Sequence, residues 1–284
     1  SRQNMSLLAF ALPTRSPSVA LHVSGPRACV DRSRWRHALS DLSVQSTIRG
    51  SLDDGLAARV WDTYDRIDYE AVLATSAADV AVDDSAEELT YGESDLGFCL
   101  DVVARARAAA AASSTDRRGF CDLGAGRGAM ALGVALAEPQ LEEGAGAAEA
   151  SEVVALEVVP ELSAIASAAF AVASDARLLS LQGSFYDHDL LRRAVRGAQV
   201  VYAYASKFDS ADGQHAERLS AALAAALRAC PDGGRGCVVG IVNRRLCDAD
   251  GWRVAAPPLQ GPTPEESARV GVARFYRLVA PPGT

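Results

Sequence analysis

The feature that most constrains the fold of this 284-residue chain is the glycine-rich segment Cys121–Ala129, with Gly124, Gly126 and Gly128 at alternate positions. A short predicted strand at 119–122 leads into it, and a predicted helix begins near Gly128. Glycines in such a turn allow a tight bend and let a ligand approach the backbone closely. The succession of strand, glycine turn and helix therefore predicts an open α/β sheet with a ligand at the end of this strand.

Strand and helix patterns alternate along the rest of the chain. The predicted strands are 152–157, 177–182, 198–205, 236–242, 252–255 and 272–279. Helices are predicted after the strands 119–122, 152–157 and 198–205, and Pro160 is placed near the first position of the second of them. This alternation predicts a parallel sheet with helices on both faces, and the two closing strands predict an antiparallel edge.

Helical patterns also precede the sheet. Ser94 is predicted to cap a helix that carries apolar residues at helical spacing. Weaker periodicity between residues 35 and 78 predicts an N-terminal helical appendage. We therefore divide the chain into a leader or tail at 1–30, a helical and acidic segment at 31–87, and an α/β domain at 88–284.

Residues 1–30 contain no Asp or Glu and carry three arginines among Ser, Ala and Pro. This composition fits an organelle transit peptide, so we expect a plastid or a mitochondrion as the destination. A plain tail, with a nuclear or cytoplasmic protein, is the alternative.

Charge narrows the classes of partner. The net charge is −8, and residues 53–101 hold 14 acids against two arginines, a net charge of −12. Such a chain is not expected to bind nucleic acid directly, because phosphate binding depends on Lys and Arg. A partner of the acidic segment would be a basic protein, and the alternative is a solvated surface. No apolar stretch is long enough for a membrane span.

The six cysteines form no C-x-x-C pair, and no His is spaced to complete a zinc site. We expect reduced cysteines, with Cys99, Cys121 and Cys237 as small buried hydrophobes. The consecutive Asp187, His188 and Asp189 would point in different directions in an extended loop, so no metal is predicted there.

Two acids indicate the ligand of the glycine turn. The carboxylate of Asp122, at the end of a strand, suits the cationic amino group of S-adenosylmethionine better than a pyrophosphate. Glu157, at the end of the next predicted strand, can accept hydrogen bonds from both ribose hydroxyls. Because a nicotinamide dinucleotide also contains ribose, and the turn satisfies G-x-G-x-x-A, that reading stays open.

Over residues 88–280 the sequence resembles class I S-adenosylmethionine-dependent methyltransferases. The resemblance implies a seven-stranded sheet whose last strand is antiparallel. The segment Thr90–Ser94 is similar to a loop in the disruptor-of-telomeric-silencing type of histone lysine methyltransferases, where a Tyr-Gly-Glu-Thr stretch covers the cofactor. It implies cofactor-binding roles for Tyr91, Glu93 and Ser94.

Two segments depart from that family. Where the family has Gly-Asp-Phe after the third strand, this chain has Gly183-Ser184-Phe185. Ser184 can still hydrogen-bond, and Phe185 can pack on the adenine. Tyr204 stands where the family has an asparagine of the lysine channel, and Lys207 is the only lysine of the chain. We assign Tyr204 and Lys207 to the acceptor side.

The sequence therefore predicts an S-adenosylmethionine-dependent methyltransferase, and the resemblance implies protein lysine as its acceptor. The alternatives are a methyltransferase of small molecules, a nicotinamide oxidoreductase, and a catalytically silent binding domain that keeps the cofactor fold.

Overall fold

A computed structural model describes residues 54–75, 95–111, 117–141, 151–205, 211–262 and 270–279. The helices are α1 (Asp54–Asp65), α2 (Tyr69–Thr75), α3 (Leu96–Ala110), α4 (Ala129–Leu141), α5 (Pro160–Ala173), α6 (His188–Val195) and α7 (Glu217–Arg228). The strands are β1 (Gly119–Leu123), β2 (Val153–Glu157), β3 (Leu178–Gln182), β4 (Ala198–Tyr204), β5 (Val238–Val242), β6 (Trp252–Pro262) and β7 (Val270–Leu278).

The seven strands form one sheet in the order β3-β2-β1-β4-β5-β7-β6. The first five are parallel, and β7 runs antiparallel to both of its neighbours. Every residue of β1, β2 and β5 is buried, as expected for central strands covered on both faces. This is the strand order of the class I methyltransferase fold, so the predicted fold is confirmed.

Two local predictions need correction. The helix α3 is capped by Asp95 and not by Ser94, because the Asp95 carboxylate accepts a hydrogen bond from the Phe98 amide at 2.8 Å. Strand β6 continues to Pro262, well past the predicted end at residue 255. Its Pro and Gly residues suggest a loop, but an edge strand tolerates proline since one side of it needs no ladder hydrogen bonds.

The helices α1 and α2 share the main hydrophobic core. Val60 and Tyr64 of α1 belong to the same buried cluster as Phe98 and Phe120. The helix α1 packs on α4, and α2 packs on α5. Within the described ranges, no helix is long and apolar enough to span a membrane.

The five cysteines in the described ranges have free thiols, and Cys99, Cys121 and Cys237 are buried. Desolvation by burial raises the pKa of Cys99 and Cys121 well above the ordinary value. These thiols are therefore neutral packing groups, as predicted.

Candidate functional site at the carboxyl ends of the strands

The glycine turn connects β1 to α4 at the carboxyl end of the central strand. Gly124, Gly126 and Gly128 all have positive φ, at 72°, 56° and 82°. A Cβ on Gly128 would lie 2.9 Å from the Cβ of Ala166 and from the ring of Phe170 on α5. Residue 128 thus needs glycine for its backbone angle and for the close approach of two helices.

The turn is tied to the neighbouring strand by its own amides. The amides of Gly124 and Ala125 both donate to the Leu156 carbonyl, at 2.9 and 3.1 Å. The Gly126 amide donates to Glu157 Oε2 at 2.7 Å. The glycine turn and strand β2 therefore form one hydrogen-bonded unit. It lies at the carboxyl ends of the strands, where open α/β folds bind ligands.

Glu157 occupies the centre of this unit. Its second oxygen, Oε1, accepts a hydrogen bond from the Val159 amide at 2.9 Å, and the residue is only 6% exposed. Desolvation by burial raises the pKa of Glu157, while the hydrogen bonds from the Val159 and Gly126 amides oppose that rise. Each carboxylate oxygen retains a second lone pair, which a ligand hydroxyl could use.

Asp122 lies on β1 between Ala155 of β2 and Tyr202 of β4, and it is buried. Its charge raises the pKa of Cys99 on α3, as does that of Asp95 at the start of the same helix. Burial also raises the pKa of Asp95 itself. Three buried carboxylates, those of Asp95, Asp122 and Glu157, therefore belong to the elements that frame the glycine turn.

The predicted adenine contacts follow β3, next to Glu157. The Gly183 amide donates to the Glu157 carbonyl at 2.8 Å, and Ser184 Oγ accepts a hydrogen bond from the Tyr186 amide at 3.1 Å. The half-buried Phe185 ring meets the Tyr186 ring edge-on, with centroids 4.6 Å apart. The structure thus brings Ser184 and Phe185 to the carboxyl ends of the strands, beside Glu157.

The extended loop predicted for residues 187–189 is wrong, because Asp187 caps α6 and His188 and Asp189 are the first residues of that helix. The Asp187 carboxylate accepts hydrogen bonds from the Asp189 and Leu190 amides, both at 3.0 Å. Among the described residues, no group of acids, cysteines and histidines is arranged for a metal.

The acceptor-side residues are described only in part. Tyr204 is the last residue of β4, half-buried and opposite Val242 of β5. It lies at the same edge of the sheet as the glycine turn. Lys207, Tyr91, Glu93 and Ser94 lie outside the described residues.

One contact of the site was missed from the sequence. Tyr64 of α1 donates a hydrogen bond from its hydroxyl to the Arg127 carbonyl in the glycine turn, at 2.7 Å. The Arg127 guanidinium lies 5.3 Å from the centroid of the Tyr64 ring, and both residues are buried. The only signal for Tyr64 was its place in an apolar helical pattern, which cannot reveal a partner 63 positions away.

The chain matches solved structures of other proteins at low sequence identity. No protein-family model matches it, and no curated protein matches it. Among solved structures, the rRNA methyltransferase AviRa from Streptomyces viridochromogenes is 16% identical, with 75% of this chain and 93% of that chain covered and a TM-score of 0.41. TrmN from Thermus thermophilus is 15% identical, with 68% and 55% covered and a TM-score of 0.42.

The mitomycin 7-O-methyltransferase MmcR is 16% identical over 63% of this chain, with a TM-score of 0.40. The chain spans about half the length of MmcR, since 54% of that protein is covered. Because these identities and scores are low, the fold is assigned from the strand order of the chain itself.

Proposed function

We propose that the chain is an S-adenosylmethionine-dependent methyltransferase. The observation that carries this proposal is the unit formed by the glycine turn and the buried Glu157 carboxylate. When bound, S-adenosylmethionine supplies a methyl carbon that is activated by the positive sulfur. The residues of the chain then have to bind and orient the reactants, so a strong general base is not required.

The charge of the site favours this cofactor over a dinucleotide. A pyrophosphate at the glycine turn would meet the buried carboxylate of Asp122 in surroundings where repulsion is poorly screened. The nearest base in the turn, Arg127, is buried against Tyr64. A cationic ligand is attracted by the same carboxylate, with Asp122 assigned to its amino group and Glu157 to its ribose hydroxyls.

A thermal-shift and calorimetry experiment tests the cofactor. S-adenosylhomocysteine at 100 times its Kd should stabilise the fold by about 2.7 kcal/mol, and a nicotinamide dinucleotide should not. Glu157→Gln should weaken S-adenosylhomocysteine binding by about 10-fold to 100-fold, because hydrogen bonds to a charged acceptor are replaced.

Glu161→Gln is the matched control, since this acid lies in the first turn of α5. It should bind S-adenosylhomocysteine as the wild type does. A thermal shift with the dinucleotide alone would refute the methyltransferase proposal.

For the acceptor, we propose a lysine of a protein. The resemblance supports this choice, together with the position of Tyr204 at the end of β4. A hydroxyl there can orient an amino group, and Tyr204→Phe should then lower turnover about threefold to tenfold while cofactor affinity is unchanged.

The acceptor is tested with radiolabelled cofactor and an extract of the cell that makes the protein. Label recovered as methyllysine supports the proposal. Label in small molecules assigns the enzyme to that substrate class instead. No transfer by a protein that binds S-adenosylhomocysteine would indicate the silent binding domain.

A further inference from the structure

A cavity lies on the sheet away from the glycine turn. It has a volume of about 560 Å³ and lies between the β6–β7 pair and the connection that follows β5. In the sheet order, β4 and β5 separate these two strands from β1, which carries the glycine turn. This cavity is therefore distinct from the proposed cofactor site.

Two arginines line the cavity side by side. Arg274 is on β7 opposite Ile241 of β5, and it is half-buried. Arg245 follows β5, and its backbone is hydrogen-bonded to that of Gln214 and of Ala216 at 2.8 and 3.0 Å. Burial lowers the pKa of Arg274, and the positive charge of Arg245 lowers it further. The Arg274 guanidinium lies against the carbonyl of Arg244, the residue before Arg245, so two positively charged side chains line one cavity.

Neither arginine forms an ion pair with an acid among the described residues. Across the described parts of the chain, no carboxylate oxygen lies within 4 Å of the Arg245 or Arg274 guanidinium. The Arg274 guanidinium donates a hydrogen bond to the Arg244 carbonyl, at 3.4 Å. By contrast, Arg117 and Arg177 pair with Asp232 and Asp175.

The remaining wall limits the kind of anion. Val254 is 67% exposed, and with Ala256 and Pro258 it gives the cavity an apolar side. Glu217 and Asp248 also line the cavity, so a ligand with several negative charges would be repelled. An apolar wall with a few convergent polar groups is typical of sites for small molecules.

We propose that this cavity binds a small monocarboxylic acid. Arg245 and Arg274 hold the carboxylate, since guanidinium groups match its two oxygens, and the apolar chain lies against Val254 and Ala256. This site does not depend on the methyltransferase proposal.

Hexanoate and hexanamide are the probes, because they have the same size and differ in charge. By titration calorimetry on the whole chain, hexanoate should bind with a Kd of about 1 mM or below, and hexanamide at least tenfold more weakly. Arg274→Gln and Arg245→Gln should each weaken hexanoate binding at least tenfold.

Arg277→Gln is the matched control, since Arg277 is an exposed arginine of β7 that is not among the residues lining the cavity. It should bind hexanoate as the wild type does. Arg245 is exposed, so its variant is expected to fold, which keeps the test valid if Arg274→Gln is unstable.

Three results would overturn the proposal. The first is no hexanoate binding at 10 times the expected Kd, and the second is equal affinity for hexanoate and hexanamide. The third is tighter binding of the peptide acetyl-Leu-Glu-Leu-amide, because the carboxylate would then belong to a polypeptide.

Discussion

The two ends of the parallel strands use charge in opposite ways. At the amino end, Arg117 forms two hydrogen bonds to Asp232, at 2.5 and 2.6 Å, and two to the carbonyls of Val195 and Ala198, both at 2.9 Å. At the carboxyl end, Glu157 is held by backbone amides, and no cation accompanies it among the described residues. An internally paired charge serves stability, whereas a buried charge without a counterion is available to a ligand.

The pKa directions follow the same division. Hydrogen bonding to Arg117 lowers the pKa of Asp232, and burial raises the pKa of Glu157. The folded protein thus favours the charged form at the amino end and disfavours it at the carboxyl end. A cationic or hydroxyl-bearing ligand would relieve that cost at the carboxyl end.

The largest effect is expected at the amino end. Arg117→Ala removes all four hydrogen bonds of the guanidinium and leaves the carbonyls of Val195 and Ala198 without this donor. The free energy of unfolding should fall by about 3 to 5 kcal/mol, as measured by urea denaturation. Arg235 is an exposed arginine in the turn that contains Asp232. Arg235→Ala should change the free energy of unfolding by less than about 0.5 kcal/mol. Equal losses for the two variants would mean that the buried Arg117 bonds do not stabilise the amino end more than an exposed arginine does.

The next effect concerns Gly128 in the turn. Gly128→Ala should cost roughly 2 to 4 kcal/mol, because a side chain is strained at φ +82° and overlaps Ala166 and Phe170. Gly213→Ala has φ +69° with nothing within 4 Å, so it should cost only about 1 kcal/mol. Denaturation of both variants separates strain from overlap, and matching costs would mean that α5 moves away freely.

A smaller effect tests the link from α1 to the turn. Tyr64→Phe removes the hydrogen bond to the Arg127 carbonyl and should lower the free energy of unfolding by about 0.5 to 1.5 kcal/mol. It should also weaken S-adenosylhomocysteine binding, measured by calorimetry, if α1 holds the turn in place. Thr63→Val is the control, since that hydroxyl bonds within its own helix to the Arg59 carbonyl at 2.9 Å. Weaker binding in the control as well would mean that any change in α1 disturbs the site.

The smallest expected effect is on the pH dependence of stability, to which Asp232 and Glu157 contribute with opposite signs. The stabilisation from Asp232 is present above its unfolded pKa and is lost as pH falls through the lowered folded pKa. The contribution of Glu157 is fully present below its unfolded pKa and is lost as pH rises through the raised folded pKa.

Urea denaturation between pH 3 and 8 measures how the free energy of unfolding changes with pH in the wild type and in each variant. Asp232→Asn should flatten the loss of stability toward low pH, and Glu157→Gln should steepen it. S-adenosylhomocysteine affinity should fall as Glu157 is protonated, and Glu157→Gln should abolish that dependence. The same sign of change in both variants would contradict the comparison.

Much of the carboxyl end could be predicted from local sequence. A glycine turn between a strand and a helix requires positive φ at particular positions, and the residues show it. Strand ends place Asp122 and Glu157 at one edge, because parallel strands share their direction. The cap of α3 was misplaced by one residue, since Ser94 and Asp95 are both good caps and only the backbone decides between them.

The rest depended on contacts between distant residues. The pairing of Arg117 with Asp232 spans 115 positions, and neither residue stands in a motif. The same holds for Tyr64 with Arg127, and for Arg245 with Arg274, which the β5–β7 pairing brings together.

The sequence by itself determined the order of the strands along the chain, the glycine turn and the acids beside it, because turn angles and apolar periodicity are local properties. The tertiary structure decided which charges are paired, which are left to a ligand, and that α1 supports the turn. Those outcomes depend on burial and on partners far apart in the chain, and a carboxylate changes its pKa only when the fold removes water from it.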